Sequence, residues 1–164
     1  MADMKLQALD SEDLGVVSAQ CQDAVLRVGD LAYQPRERRF ALVCNRFDWL
    51  AAQARGGRGP YQRRRTGLRF ESVTRVQISG FDPRASETVL VLLAVGFEAT
   101  IAPAGQITLH FAAGAAIRLD VETIEVELKD LGGVWSTNHR PDHAVADQAV
   151  SAVDAAPAVK PAKS

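Results

Sequence analysis

The sequence has little cysteine, few aromatic residues and no long apolar segment. Two cysteines among 164 residues cannot form the disulfide framework of a small secreted domain. The longest apolar run, residues 89–97, is far shorter than the about 20 residues that a membrane-spanning helix needs. These absences exclude a disulfide-stapled mini-protein and predict no membrane span. We therefore expect a single domain in the reducing cytoplasm.

Short motifs that carry chemistry are also absent from the sequence. It contains no Gly-x-Ser-x-Gly elbow, no phosphate loop with Gly-Lys-Ser or Gly-Lys-Thr, no Gly-x-Gly-x-x-Gly after a strand and no His-Glu-x-x-His. His139 and His143 have a spacing that metals use, but Pro141 lies between them and the further ligands of a zinc site are missing. We predict no catalytic residues, no metal and no cofactor. An enzyme whose site is assembled from scattered residues stays open as an alternative.

Charge is unevenly distributed along the chain, although the net charge is only −1. Residues 1–30 carry a net charge of −4, residues 31–84 carry +8 and residues 85–164 carry −5. All basic residues of the middle third are arginines, whose planar guanidinium groups bind carboxylates and phosphates through paired hydrogen bonds. The near-neutral total does not fit a dedicated nucleic-acid domain.

Hydrophobic periodicity predicts an α+β fold. Residues 10–24 are expected to form an amphipathic helix that Asp10 caps. The period then changes to two, which is typical of strands with one buried face. We expect six or seven mostly antiparallel strands, arranged as a barrel or a sandwich, with the helix packed against them. The predicted strands cover residues 25–45 as a hairpin, 68–78, 88–98, 106–111 and 117–128, the last with a bend near its middle.

The composition of the chain changes at residue 144. Residues 144–164 are rich in Ala, Val and Pro and contain no aromatic residue, so they lack the side chains that build a core. We therefore predict one domain over residues 1–143, followed by a flexible tail.

Arginines and aromatic residues cluster in the segment Asn45-Arg46-Phe47-Asp48-Trp49 and in the Gly/Arg-rich stretch over 54–65. Guanidinium groups beside ring faces suit the binding of an acidic protein, a nucleotide or a polyanion. The alternative is a solvated face whose arginines pair with acidic residues of the last strand, namely Asp120, Glu122, Glu125 and Glu127. The predicted partner-binding residues are Arg36, Arg38, Arg39, Arg46, Asp48, Trp49, Arg63, Arg64 and Arg65.

Two functional hypotheses follow from these features. The first is a noncatalytic binding or regulatory module with an arginine-rich face for an acidic partner. The second is a structural homo-oligomer, because the open edges of a hairpin-rich sheet pair with further strands unless charges or bulges protect them.

Seven segments of the sequence resemble one family of bacterial proteins. They are LQALDSEDLGVVSAQCQDAVLRVGDLAYQPRERRF at 6–40, CNRFDW at 44–49, RRRTGLRF at 63–70, ISGFDP at 78–83, APAG at 102–105, AIRLDVETIEVELKDLG at 116–132 and HRPDH at 139–143. Over about residues 4–143 the chain resembles the domain-of-unknown-function family 2948. This resemblance implies no activity, substrate or catalytic residue. Residues 50–62 carry none of it, so the better shared candidates are Arg36, Arg38, Arg39, Arg46, Asp48 and Trp49.

Overall fold

About half of the described residues lie in β-strands, in which apolar and polar residues largely alternate. The computed structural model describes residues 3–137 and Pro141, and within them it contains ten strands and two α-helices. The strands are β1 Lys5–Ala8, β2 Ala24–Arg27, β3 Leu31–Gln34, β4 Arg39–Phe47, β5 Tyr61–Phe70, β6 Val73–Ser79, β7 Val89–Ala99, β8 Gly105–Phe111, β9 Ala116–Val121 and β10 Val126–Thr137. The helices are α1 Ser11–Gln20 and α2 Trp49–Ala54.

All strands belong to one antiparallel sheet, which does not close on itself within the described part of the chain. Its order is β1-β10-β5-β4-β2-β7-β8-β9-β6, and β3 also pairs with β4. The strands β1 and β6 are therefore the two ends of this order, and β3 also pairs on one side only. The predicted α+β class with an N-terminal helix is confirmed. The strand count is ten rather than six or seven, and the strands form one open sheet, where the sequence left a barrel and a sandwich as alternatives.

The core lies between α1 and the inward face of the sheet. Leu14 and Val17 of α1 and Cys21 just after it are buried in one cluster with alternate residues of the strands. The predicted apolar face of the helix is therefore confirmed, as is its cap, because the Asp13 N–H donates to Asp10 Oδ1 over 2.8 Å.

The helix is shorter than its sequence predicts. It ends at Gln20 rather than at residue 24. Asp23 has a left-handed backbone with φ of 63°, which no helix continues. Ala24 is buried, as expected of the apolar face, but as the first residue of β2.

Two of the predicted strands are each divided in the structure. The single strand over 68–78 is wrong: β5 ends at Phe70, Ser72 turns the chain with φ of 56°, and β6 begins at the far edge of the sheet. The predicted strand over 117–128 is likewise two strands, of which β9 pairs with β8 and β6, and β10 pairs with β5 and β1. The expected bend at its middle is thus a complete change of neighbours.

No helix within residues 3–137 combines the length and the apolar character needed to cross a membrane. The predicted tail over 144–164 lies outside the described residues. The division into a domain over 1–143 and a tail stays a prediction.

Gly105 begins β8 where it lies against β7. A Cβ added at Gly105 would meet the Phe97 ring and lie 2.5 Å from the Glu98 carbonyl oxygen, whereas a Cβ added at Gly96 of β7 would meet nothing within 4 Å. We expect Gly105→Ala to lower the free energy of unfolding by about 2 to 3 kcal/mol. Gly96→Ala is the control and should change it by less than about 0.5 kcal/mol. Urea denaturation measures both values, and equal effects of the two substitutions would contradict this packing.

Candidate functional site

The predicted partner-binding residues lie at opposite ends of β4. Residues 36–39 form the turn before β4 and its first residue, whereas residues 46–49 lie at its other end, about 25 Å away along an extended chain. The antiparallel neighbour β5 brings residues 63–65 to this second end, with Arg64 opposite Arg46. The expected single arginine face is therefore divided into two groups.

Two of the three arginines at residues 36–39 form ion pairs with acidic side chains. Arg38 forms an exposed ion pair with Glu122, and Arg39 Nε donates to both carboxylate oxygens of Glu71 over 3.1 and 3.0 Å. Arg36 is exposed, and its guanidinium has no ion pair within residues 3–137. At this end of β4 the arginines thus behave largely as the solvated-face alternative expects.

Arg46 is buried inside the sheet. Its side chain and that of Asp130 are each only 1% exposed. Arg46 Nε donates to Asp130 Oδ1 over 3.0 Å, and Nη2 donates to Oδ2 over 2.8 Å, which is the bidentate geometry of a strong charged pair. Because alternate residues of a strand share one face, Arg46 extends the buried row formed by Phe40, Leu42 and Cys44.

Asp130 accepts two further hydrogen bonds. Thr66 Oγ1 donates to it over 2.7 Å and the Met4 N–H over 2.8 Å. Burial raises the pKa of the Asp130 carboxyl, but the hydrogen bonds from Arg46, Met4 and Thr66 outweigh burial and hold that pKa below its ordinary value. The ionised carboxylate therefore joins β10 to β4, to β5 and to the chain just before β1.

A second buried pair lies beside the first. Arg64 Nε donates to Asp48 Oδ2 over 2.6 Å, and the two side chains are 5% and 4% exposed. The other oxygen of Asp48 accepts from the Ala51 N–H over 2.9 Å and so caps α2. Asp48 therefore attaches the start of α2 to β5. Arg46, Asp130, Thr66, Arg64 and Asp48 are called the buried charge cluster below.

Aromatic rings surround the end of β4 on its other face. The rings of Phe47 and Trp49 meet edge to face with centroids 4.6 Å apart, and Tyr61 lies 5.4 Å from Phe47. The Trp49 indole N–H donates to the Gln22 carbonyl over 3.0 Å, so the ring is fixed in position. The Arg63 guanidinium lies 5.9 Å from the centre of the Phe47 ring, within the range of a cation–π contact.

Arg63 and Arg65 lie on the opposite face of β5 from Arg64, because strand residues alternate. Arg63 is half-buried, and its Nη1 donates to the Asn45 carbonyl over 3.1 Å. Burial lowers the pKa of the Arg63 guanidinium, and the nearby Asp23 carboxylate opposes this shift. Arg65 is half-exposed and forms no ion pair within the described chain. Of these three consecutive arginines, Arg65 is the one whose charge is available to a partner.

The helix α2 is absent from the sequence-based interpretation, which treats residues 50–62 as a low-complexity stretch. Its end is closed by two glycines: the Gly57 N–H donates to the Ala52 carbonyl over 2.8 Å, and the Gly56 N–H donates to the Gln53 carbonyl over 3.0 Å. This is a Schellman motif, whose left-handed position favours glycine, and Gly56 has φ of 65°. The Arg-Gly-Gly sequence is thus a helix terminator.

A surface depression of about 450 Å³ lies beside α2. We call it the α2 depression; it is lined by Trp49, Ala52, Gln53, Gly56 and Gly57. None of these side chains titrates, so the depression offers an aromatic wall and polar groups for binding but no acid, base or nucleophile.

The two thiols offer no nucleophile either. Cys21 and Cys44 are buried and free. Burial raises the pKa of the Cys44 thiol to about 12 and also raises the pKa of Cys21, so both stay protonated at neutral pH. Within residues 3–137 no three His, Cys, Asp or Glu side chains converge as metal ligands. His139 and His143 lie outside the described residues.

Comparison with known proteins gives one match. The family model described as "Protein of unknown function (DUF2948)" matches residues 4–143. The chain belongs to this family. The resemblance noted from the sequence is therefore confirmed, and the match includes both ends of β4 and α2. Neither a curated protein nor a solved structure matches the chain.

Replacing Asp130 tests the buried ion pair. Asp130→Asn keeps the size of the side chain but leaves the Arg46 charge buried without a counter-ion, so we expect the free energy of unfolding to fall by about 3 to 5 kcal/mol. Glu122→Gln is the control, because its pair with Arg38 is exposed and contributes at most about 1 kcal/mol. Urea denaturation of both variants gives the values. A loss below about 1 kcal/mol in Asp130→Asn would show that the pair does not stabilise the fold.

The lowered pKa of Asp130 also makes stability depend on acid. The carboxyl is harder to protonate in the folded chain than in the unfolded chain, where an Asp has a pKa of about 3.9. Its stabilisation is therefore complete above that pH and is lost as the pH falls through the folded-state value. We expect the free energy of unfolding to fall below about pH 4, more steeply in the wild type than in Asp130→Asn. Denaturation at a series of pH values measures this, and parallel profiles would assign the acid sensitivity to other carboxylates.

Proposed function

We propose that this chain is a noncatalytic cytoplasmic binding module that holds an acidic protein partner on the surface around the α2 depression. One observation carries the proposal. Residues 49–70 contain six arginines and neither aspartate nor glutamate, and Arg55, Arg58 and Arg65 form no ion pair within the described residues. Guanidinium groups without an ion-pair partner attract carboxylates.

The apolar groups on this surface favour a protein over a nucleotide or a polyanion. Leu50 is 47% exposed, and its neighbour Trp49 lines the α2 depression. A polyphosphate has no group that gains from contact with leucine. A peptide segment that carries both acidic and apolar side chains can use the arginines and the apolar positions together, as protein interfaces do.

Three of the residues predicted from the sequence to bind the partner lie in the interior. Arg46, Asp48 and Arg64 are buried and paired, so they position the surface rather than contact the partner. Asp48 fixes the start of α2, and Arg64 fixes Asp48. The contacting set is therefore Trp49, Leu50, Arg55, Arg58 and Arg65, which we call the α2 surface.

The noncatalytic and cytoplasmic parts of the proposal have their own support. The lining of the α2 depression contains no titratable side chain, whereas acid–base or nucleophilic catalysis needs one in place. Two free thiols fit a reducing compartment.

Charge removal on the α2 surface tests the proposal. The probe is a fluorescently labelled peptide of about twelve residues made of Glu, Leu and Pro, because proline prevents it from adding to a sheet edge. We expect Arg55→Gln, Arg58→Gln and Arg65→Gln together to raise its Kd about tenfold, at about 0.5 kcal/mol for each exposed contact. Fluorescence anisotropy measures the Kd, and raising the salt from about 50 to about 200 mM should weaken binding to the wild type.

The matched control removes the same charge elsewhere. It combines Arg36→Gln, Arg75→Gln and Arg84→Gln, which are exposed arginines outside the α2 surface, and it should change the Kd by less than about twofold. If both triple variants weaken binding equally, the effect comes from net charge alone and the proposal fails. An unchanged Kd in the variant of Arg55, Arg58 and Arg65 would also overturn the proposal.

A further inference from the structure

The edge strand β6 offers unpaired backbone to a further strand. It pairs with β9 on one side only. Its sequence, Val-Thr-Arg-Val-Gln-Ile-Ser, contains no proline, lysine or acidic residue, its one charged residue is the exposed Arg75, and most of its residues are exposed. Proteins ordinarily protect such an edge with charges, proline or a covering element. Within the described residues, only a register shift between Val73 and Arg75 interrupts this strand.

The other edge differs from β6. The strand β1 has four residues and leads directly into α1, so it offers a short edge beside a helix. In contrast, β6 has seven residues, which is enough to pair with a complete strand of ordinary length. The edge at β6 is therefore the better place for an added strand.

Cross-strand register places a row of polar side chains beside this edge. Gln77 of β6 lies opposite Arg118 of β9, which lies opposite Thr108 of β8. In the next row Ser79 lies opposite Ala116. The small Ala116 leaves a depression of about 240 Å³, lined by Gln77, Ile78, Ser79, Thr108, Ala116 and Arg118.

The groups that line this depression can donate hydrogen bonds to an anion. Its side chains include a guanidinium, an amide and two hydroxyls, and no carboxylate. Arg118 is exposed and forms no ion pair within residues 3–137. The nearest carboxylate in the adjoining row, Asp120, accepts a hydrogen bond from Gln106 over 3.1 Å. Arg118 thus lies on the strand next to the edge strand β6 and has no carboxylate partner among the described residues.

We propose that β6 binds an extended acidic segment of a partner protein as an additional strand, with a carboxylate side chain of that segment paired to Arg118. A residue of the added strand opposite Gln77 would lie about 10 Å from Arg118, two strand spacings away, and long side chains of both residues span that separation. Backbone hydrogen bonds to β6 supply the affinity, and the carboxylate at Arg118 sets the register. This site shares no residue with the α2 surface.

Charge favours an acidic segment over a second copy of β6. A second β6 would bring another Arg75 and no carboxylate to a face that already has Arg118. Like charges across neighbouring strands are destabilising, and opposite charges are favourable. A second copy of this chain, paired edge to edge as in the second hypothesis from the sequence, is the competing occupant of β6.

The test uses a peptide that can form the added strand. The probe is a peptide of about seven residues in which Glu alternates with Val and Thr, with an otherwise identical peptide that carries N-methyl groups at alternate residues as its control. Nuclear magnetic resonance of the ¹⁵N-labelled full chain should show shifts in β6 and β9 and slower exchange of β6 amides with the first peptide. The methylated peptide should bind at least about tenfold more weakly, because it lacks backbone donors.

The matched protein variants are Arg118→Gln and Arg84→Gln, both at exposed arginines. Arg118→Gln should raise the Kd of the alternating peptide about threefold to fivefold, and Arg84→Gln should leave it within about twofold. An unchanged Kd in Arg118→Gln, or shifts confined to residues 49–65, would overturn the proposal. So would sedimentation showing a dimer in which β6 amides are already protected, because a second copy would then occupy the edge. Loss of Glu/Leu/Pro peptide binding in the α2 variants bears only on the proposed function.

Discussion

The buried pair of Arg46 and Asp130 is the interaction on which the rest of the molecule depends. Removing two ions from water costs several kcal/mol for each, and their attraction offsets this only when the remaining polar atoms are also satisfied. Here the carboxylate accepts two hydrogen bonds from the Arg46 guanidinium, one from the Thr66 hydroxyl and one from the Met4 N–H, whereas Arg46 Nη1 is buried without a hydrogen-bond partner among the described residues. Donors from three parts of the chain, namely β4, β5 and the residue before β1, thus converge on Asp130 of β10 and fix where these parts meet. A strand shifted by two residues would still direct its apolar face inward. The same shift would separate the Asp130 carboxylate from its donors, so the buried pair restricts the register more strictly than apolar packing alone.

That constraint reaches the surface through Asp48. Its carboxylate is shared between the buried Arg64 and the first turn of α2, and the glycines after α2 turn the chain back toward β5. The short helix therefore does not rely on its own propensity, which is insufficient at six residues. The interior charges and the exterior arginines of the 45–65 region are thus parts of one arrangement, in which the buried members position the exposed ones.

Much of this fold is predictable from local pattern, and the remainder is not for identifiable reasons. The cap and apolar face of α1, the hairpin over 25–45 and the strands near 88–98 and 106–111 follow from periodicity that neighbouring residues determine. The break at Ser72 does not, because Leu68, Phe70, Val76 and Ile78 keep one parity through it. The same parity continues from Cys44 to Arg46 and from Leu128 to Asp130, but the sequence-based interpretation placed Arg46 among the partner-binding residues and gave Asp130 no role. What the pattern lacks is the pairing of these rows across 84 residues, so each charge read alone resembles a surface residue.

Within the described residues, internal charge pairing ends at the two places where we propose that a partner binds. The acidic last third supplies Asp130 to Arg46, Glu122 to Arg38 and Glu127 to Arg69, so its charge is used to neutralise arginines of the middle third. Within residues 3–137, no acidic side chain pairs with the arginines of the α2 surface or with Arg118. A near-zero net charge therefore conceals two positive regions that are far apart on the sheet, one beside a helix with an aromatic wall and one beside an open edge. Because their surroundings differ, we propose different partners for them: a segment with acidic and apolar side chains at the α2 surface, and an extended acidic strand at β6.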